Sequence, residues 1–105
     1  IVFVAFGTVA RLVAETMDIL AERGYKAGMI RPVTLWPFPF DAFARISDKT
    51  RLVVSVELSM GQLLTDVKAA VCGRVPVGLI NRTGGVVPTP VEIADRAIKQ
   101  LKALD

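Results

Sequence analysis

The apolar positions of this chain change period along its length, and the changes divide it into strands and helices. Ile1-Val2-Phe3-Val4-Ala5-Phe6 is a continuous apolar run rich in β-branched and aromatic residues, the pattern of a strand buried on both faces in a parallel sheet. After Gly7-Thr8 the spacing becomes helical: Val9, Leu12, Val13, Thr16, Ile19 and Leu20 share one face, with Thr8 as the N-cap and Gly24 as the stop. Lys26 to Pro32 reads as a second strand, shorter and less apolar, and is therefore expected nearer a sheet edge. Phe40, Phe43, Ala44 and Ile46 mark one face of a short helix ending near Asp48.

Arg51 to Leu58 is a third strand with an apolar centre, and Ser59-Met60-Gly61-Gln62 then matches the capping-box pattern that opens a helix. Leu63, Leu64, Val67, Ala70 and Val71 supply the buried stripe of that helix, and Gly73 closes it. Val75 to Ile80 is a fourth strand, with Pro76 at its start, where a missing donor is tolerated. After the loop Asn81-Arg82-Thr83-Gly84-Gly85, the segment Thr89-Pro90-Val91-Glu92 combines an N-cap, a proline at the first helical position and a glutamate at the capping-box position. The last helix is expected to bury Ile93, Ala94, Ala97, Ile98, Leu101 and Leu104. No internal repeat or linker interrupts the series, so residues 1–105 read as a single domain.

Strand and helix alternating in this way predict an α/β fold of three layers, α/β/α, around a mainly parallel sheet of about four strands. With right-handed crossovers and the order 2-1-3-4, the topological switch point falls between strands one and three. The crevice there would be lined by Gly7, Thr8, Val9 and Arg11 from one loop and by Glu57, Ser59, Met60 and Gly61 from the other.

The segment Arg31-Pro32-Val33-Thr34-Leu35-Trp36-Pro37-Phe38-Pro39-Phe40 fits neither period. Its three prolines fix φ, remove backbone donors and push each preceding residue toward extended geometry. With Phe43 it carries four of the chain's seven aromatic residues, including the only Trp. That is a heavy apolar load for a surface connector. The rings either fold back as a lid over the domain's own core or pack on a partner, and Arg31, Trp36, Pro37 and Phe38 are the candidate interface.

Composition narrows the chemistry. The lone Cys72 cannot pair within the chain and there is no CxxC, which points to a reducing, cytoplasmic compartment and excludes a cysteine-ligated cluster. The chain has no histidine, so the usual general base and the commonest metal ligand are missing. Thirteen basic against ten acidic residues give a formal charge of +3, but the basic residues are scattered, which argues against a nucleic-acid stripe. An apolar fraction of 52% without a membrane-length run suits a domain packed into something larger. The direct opening on Ile1, with no initiator Met or signal-peptide features, reads as a piece of a longer polypeptide.

Two features approach a site. Gly7-Thr8 before a helix N-terminus could hold an anion, and Arg11 sits in the first helical turn, where its charge opposes the macrodipole; it would pair with Glu57 across the crevice or reach solvent. No dinucleotide or Walker fingerprint is present. Glu57 ends a strand, where an α/β protein places functional carboxylates, but no second carboxylate adjoins it to divide acid and base roles. Cys72 has no histidine to activate it and reads as a small buried group. The Asn81-Arg82-Thr83 sequon reads as chance in a cytosolic chain. No catalytic or metal-binding set emerges. The residues alone describe a docking domain with a candidate anion crevice at Gly7, Thr8, Arg11, Glu57 and Gly61.

Three segments together resemble one family. Phe6-Gly7-Thr8-Val9-Ala10-Arg11, Ile30 through Pro39, and Gly84-Gly85-Val86-Val87-Pro88-Thr89-Pro90, with Glu57 and Met60-Gly61-Gln62 between them, resemble the C-terminal, transketolase C-terminal-like part of the α subunit of 2-oxoacid:ferredoxin oxidoreductases, of the 2-oxoglutarate or 2-oxoisovalerate type. The chain departs from that pattern in having Thr83 where the family usually has proline. The resemblance implies a parent enzyme that uses thiamine diphosphate, Mg²⁺, an iron–sulfur cluster and CoA to decarboxylate a 2-oxoacid oxidatively. It implies as partners the rest of the α subunit, a β subunit, small γ and δ subunits, and ferredoxin, in an oligomer without nucleic acid or membrane. It implies no catalytic residue and no cofactor bound by this domain alone. The alternative is an independent α/β module that binds a phosphate- or CoA-like anion in the crevice.

Overall fold

The computed structural model describes residues 1–5, 9–31, 46, 49–57, 62–71, 73–81 and 87–104, the side chains of 62–66 excepted. Four strands, β1 (Val2–Ala5), β2 (Gly28–Ile30), β3 (Val53–Val56) and β4 (Val77–Ile80), alternate with α1 (Val9–Glu22), α2 (Gln62–Val71) and α3 (Pro90–Lys102). The sheet order is β2-β1-β3-β4. Every pair is parallel, with Val2 opposite Gly28 and Val53, and Val53 opposite Val77. The predicted fold and strand order are those observed.

The alternation of each strand sorts its side chains onto two faces. Phe3, Ala5, Val54, Val56 and Ile80 join Val13 and Leu20 of α1 and Ile93, Ala97 and Leu101 of α3 in one core cluster. Val4 and Val53 face the other way, against Val67 and Val71 of α2. Helices therefore cover both sides of the sheet, and the central strands β1 and β3 are buried while β2 is half-buried at an edge, as its composition predicts. Just before the strands, the carbonyls of Ile1, Leu52 and Pro76 also accept ladder hydrogen bonds, from the N–H groups of Gly28, Val2 and Val53.

Local signals set the helix ends. Gly24 has φ +86, and Gly24 N–H donates to the Ala21 carbonyl while Tyr25 N–H donates to that of Leu20. This pair of bonds is a Schellman motif, which needs a left-handed residue where glycine stands. Thr89 caps α3, its hydroxyl accepting from Glu92 N–H at 3.2 Å. Thr16, fully buried, joins the two helices of the larger core: its hydroxyl donates to the Leu12 carbonyl at 2.8 Å and lies 3.2 Å from that of Pro90.

Two expectations are corrected. Leu104 lies beyond the end of α3 and is 45% exposed, since the helix gives way at Ala103 before the apolar spacing runs out. Ile46 lies outside any helix, although it packs on the cluster of Val4, Val53, Val67 and Val71. The rest of the helix expected between Phe40 and Asp48 lies outside the described residues, apart from that one position.

Candidate functional site

The chain leaves β1 for α1 on one face of the sheet and leaves β3 for α2 on the other. The strand order reverses between them, so the switch point lies where the sequence places it, at the carboxyl ends of β1 and β3. Of the residues expected there, Val9, Arg11 and Glu57 are described, while Gly7, Thr8, Ser59, Met60 and Gly61 lie outside the described residues. Val9, the first residue of α1, is buried in the core. Arg11 is exposed.

Glu57 is the chemically distinctive residue of this rim. It follows β3 directly, its N–H donates to the Ile80 carbonyl at 3.0 Å, and the residue is only 6% exposed. A buried carboxyl needs hydrogen-bond donors. Ser55, two residues earlier and on the same face of the strand, donates its hydroxyl to Glu57 Oε2 at 3.0 Å. Ser55 is itself fully buried. The Ser55–Glu57 pair was not singled out by the sequence pattern, yet it had a signal: a hydroxyl inside an apolar strand, at the two-residue spacing that brings side chains to one face.

Arg31, expected at the partner interface, follows β2 and is exposed; Trp36, Pro37 and Phe38 lie outside the described residues. Of the described residues on either side of it, Ile30 and Ile46 both pack on the α2-side core.

At the opposite, amino end of the strands, an open cavity of about 220 Å³ is lined by Ile1, Tyr25, Lys26, Lys49 and Arg51 among others. This concavity is distant from the switch point and holds none of the residues predicted for a site. Among the described residues, no group of three or more His, Cys, Asp or Glu could hold a metal ion, and no helix is long and apolar enough to cross a membrane. With one cysteine and no histidine in its sequence, the chain cannot by itself supply the thiolate set of an iron–sulfur cluster.

Residues 1–93 match the family of the pyruvate:ferredoxin oxidoreductase core domain II. The chain belongs to that family. Its curated relatives include the ketoisovalerate oxidoreductase subunit VorB of Methanothermobacter marburgensis, 39% identical over 85 residues that cover 81% of this chain and 24% of the relative. The 2-oxoglutarate synthase subunit KorA of Archaeoglobus fulgidus is 41% identical over 75 residues, covering 71% of this chain and 22% of that subunit. The chain thus spans about a quarter of the length of these relatives.

Two solved structures share the fold of this core domain. The 2-oxoglutarate:ferredoxin oxidoreductase from Magnetococcus marinus, with 2-oxoglutarate, coenzyme A and succinyl-CoA bound, superposes with a TM-score of 0.76 and 23% identity over 95% of this chain and 17% of that one. A split-gene transketolase, as an inactive β4 tetramer, superposes with a TM-score of 0.77 and 18% identity over 96% of this chain and 38% of its own. The resemblance read from Phe6–Arg11, the proline-tryptophan segment and Gly84–Pro90 is borne out, and so is the transketolase-like architecture.

Proposed function

We propose that residues 1–105 form one domain of the α subunit of a cytoplasmic 2-oxoacid:ferredoxin oxidoreductase and that its role there is assembly, with the reacting atoms held elsewhere. The parent enzyme would decarboxylate a 2-oxoacid oxidatively to an acyl-CoA and pass electrons to ferredoxin, using thiamine diphosphate, Mg²⁺ and an iron–sulfur cluster. The carrying observation is the family match, which spans residues 1–93 of the chain. The site chemistry supports a structural role: the carboxyl at the switch point is buried and tied to a neighbouring serine, and the sequence contains no histidine.

The domain would contact the rest of the α subunit, the β subunit and the small γ and δ subunits, with Arg31, Trp36, Pro37 and Phe38 as its docking segment. The test is the complete enzyme carrying Glu57→Gln, a change that preserves size and the hydroxyl contact. CoA- and 2-oxoacid-dependent reduction of ferredoxin should be retained. Loss of a general acid or base costs about 10²-fold or more, so a fall of that size in an intact assembly would overturn the noncatalytic assignment.

The independent anion-binding module, with its site at Gly7, Thr8, Arg11, Glu57 and Gly61, is the weaker reading. Glu57, the carboxyl of that set, is buried and accepts from the Ser55 hydroxyl, which leaves little of it to meet a ligand. Calorimetric titration of the chain with CoA and with nucleotides decides between the two, and heat of binding at millimolar ligand would favour the module.

A further inference from the structure

Among the described residues β4 is the last strand of the sheet, and one side of its backbone has no described strand beside it. Val53 N–H donates to the Pro76 carbonyl and Glu57 N–H to the Ile80 carbonyl. Those groups face β3, and by the alternation of a parallel ladder the carbonyls of Leu79 and Asn81 face outward. An open row of this kind is a template for another chain.

The helix α3 covers it. Gln100 Nε2 donates to the Leu79 carbonyl at 3.1 Å, and Arg96 Nη1 donates to the Asn81 carbonyl at 2.9 Å. The two donors are four residues apart on the helix and their acceptors two residues apart on the strand, in the reverse direction. The spacings agree: four helical residues rise about 6 Å, and two strand residues span about 6.6 Å. An antiparallel helix can therefore present donors to successive edge carbonyls in register, as a neighbouring strand would.

Gly78 makes room for this arrangement. A Cβ at that position would stand 1.9 Å from Gln100 Oε1 and 3.0 Å from its Cδ, so any side chain there displaces the Gln100 amide. Among the described residues Oε1 is buried without a hydrogen-bond partner, and the amide is held through Nε2 at the Leu79 carbonyl.

We infer that Arg96 and Gln100 form a side-chain ladder that closes the outer edge of β4 and keeps it from pairing with the same edge of a second copy of this chain. The inference does not rest on the reaction proposed above. It is tested in the complete polypeptide that carries these residues, with two variants that open the edge from opposite sides. Arg96→Met with Gln100→Met keeps the helix and the apolar stems but removes both donors. Gly78→Ala leaves α3 unchanged and expels the amide.

Sedimentation velocity over a hundredfold concentration range should show, for both variants, a species of at least twice the parent mass that the unsubstituted protein lacks. Hydrogen exchange in that species should be slowed at the amides of Leu79 and Asn81. Gln100→Lys, which retains a donor for the Leu79 carbonyl, should sediment like the parent. Folded variants that sediment unchanged would overturn the inference, as would association without new protection at those two amides. If the double variant does not fold, Gly78→Ala and the single Gln100→Met carry the same expectations.

Discussion

Ser55 and Glu57 show how a single pair conditions the chemistry of this rim. The carboxyl is buried at the exit of a central strand, where an unsatisfied oxygen costs about 1–3 kcal/mol. The Ser55 hydroxyl satisfies one oxygen without leaving the strand's own face. Ser55→Ala should therefore lower stability by about 1–3 kcal/mol, read as a shift in the urea midpoint with an unchanged slope. An unchanged midpoint would mean that the hydroxyl contributes nothing net. Glu57 is recognisable from the sequence because it ends an apolar run. Its burial is not, because the elements that cover a strand end are set by the whole topology.

At the scale of elements, helix ends are legible where each residue meets a local requirement. Thr89, Pro90 and Glu92 announce the start of α3 by cap, fixed φ and first-turn acid. Gly24 announces the end of α1 by its left-handed conformation. Gly24→Ala should cost about 1–2 kcal/mol, the penalty of placing a Cβ in that region, and thermal unfolding would show it. Open space surrounds the added methyl, so the penalty would come from the backbone alone.

Contacts between elements are much less legible. Thr16 reads as one more position on an apolar stripe, yet its hydroxyl lies between carbonyls of α1 and of the start of α3. Thr16→Val keeps the shape and removes the donor, so a loss of about 1 kcal/mol is expected in chemical unfolding; a neutral result would assign the site to packing alone. Arg96 and Gln100 likewise resemble ordinary polar positions until the sheet order puts β4 at an edge.

Across the whole molecule, the strand order was derivable because a buried apolar run flanked by helical periods admits few arrangements. What the periods could not convey is how the proline-tryptophan connector is used, since its prolines and aromatic residues follow neither the helical nor the strand spacing. Of the described residues around it, Ile30 and Ile46 pack on the α2 side of the sheet, and Arg31 is exposed. The docking role proposed for Trp36 and Phe38 and the alternative lid role differ in what each would stabilise. Trp36→Ala with Phe38→Ala in the complete enzyme separates these outcomes. As a docking segment, the pair should behave as interface anchors, weakening subunit association by about 2–4 kcal/mol while the midpoint of urea unfolding for this domain stays in place. As a lid, the same substitutions should lower that midpoint and leave the subunit dissociation constant unchanged. Measuring both quantities on one variant, by sedimentation and by urea titration, assigns the segment because each role moves one of them and leaves the other.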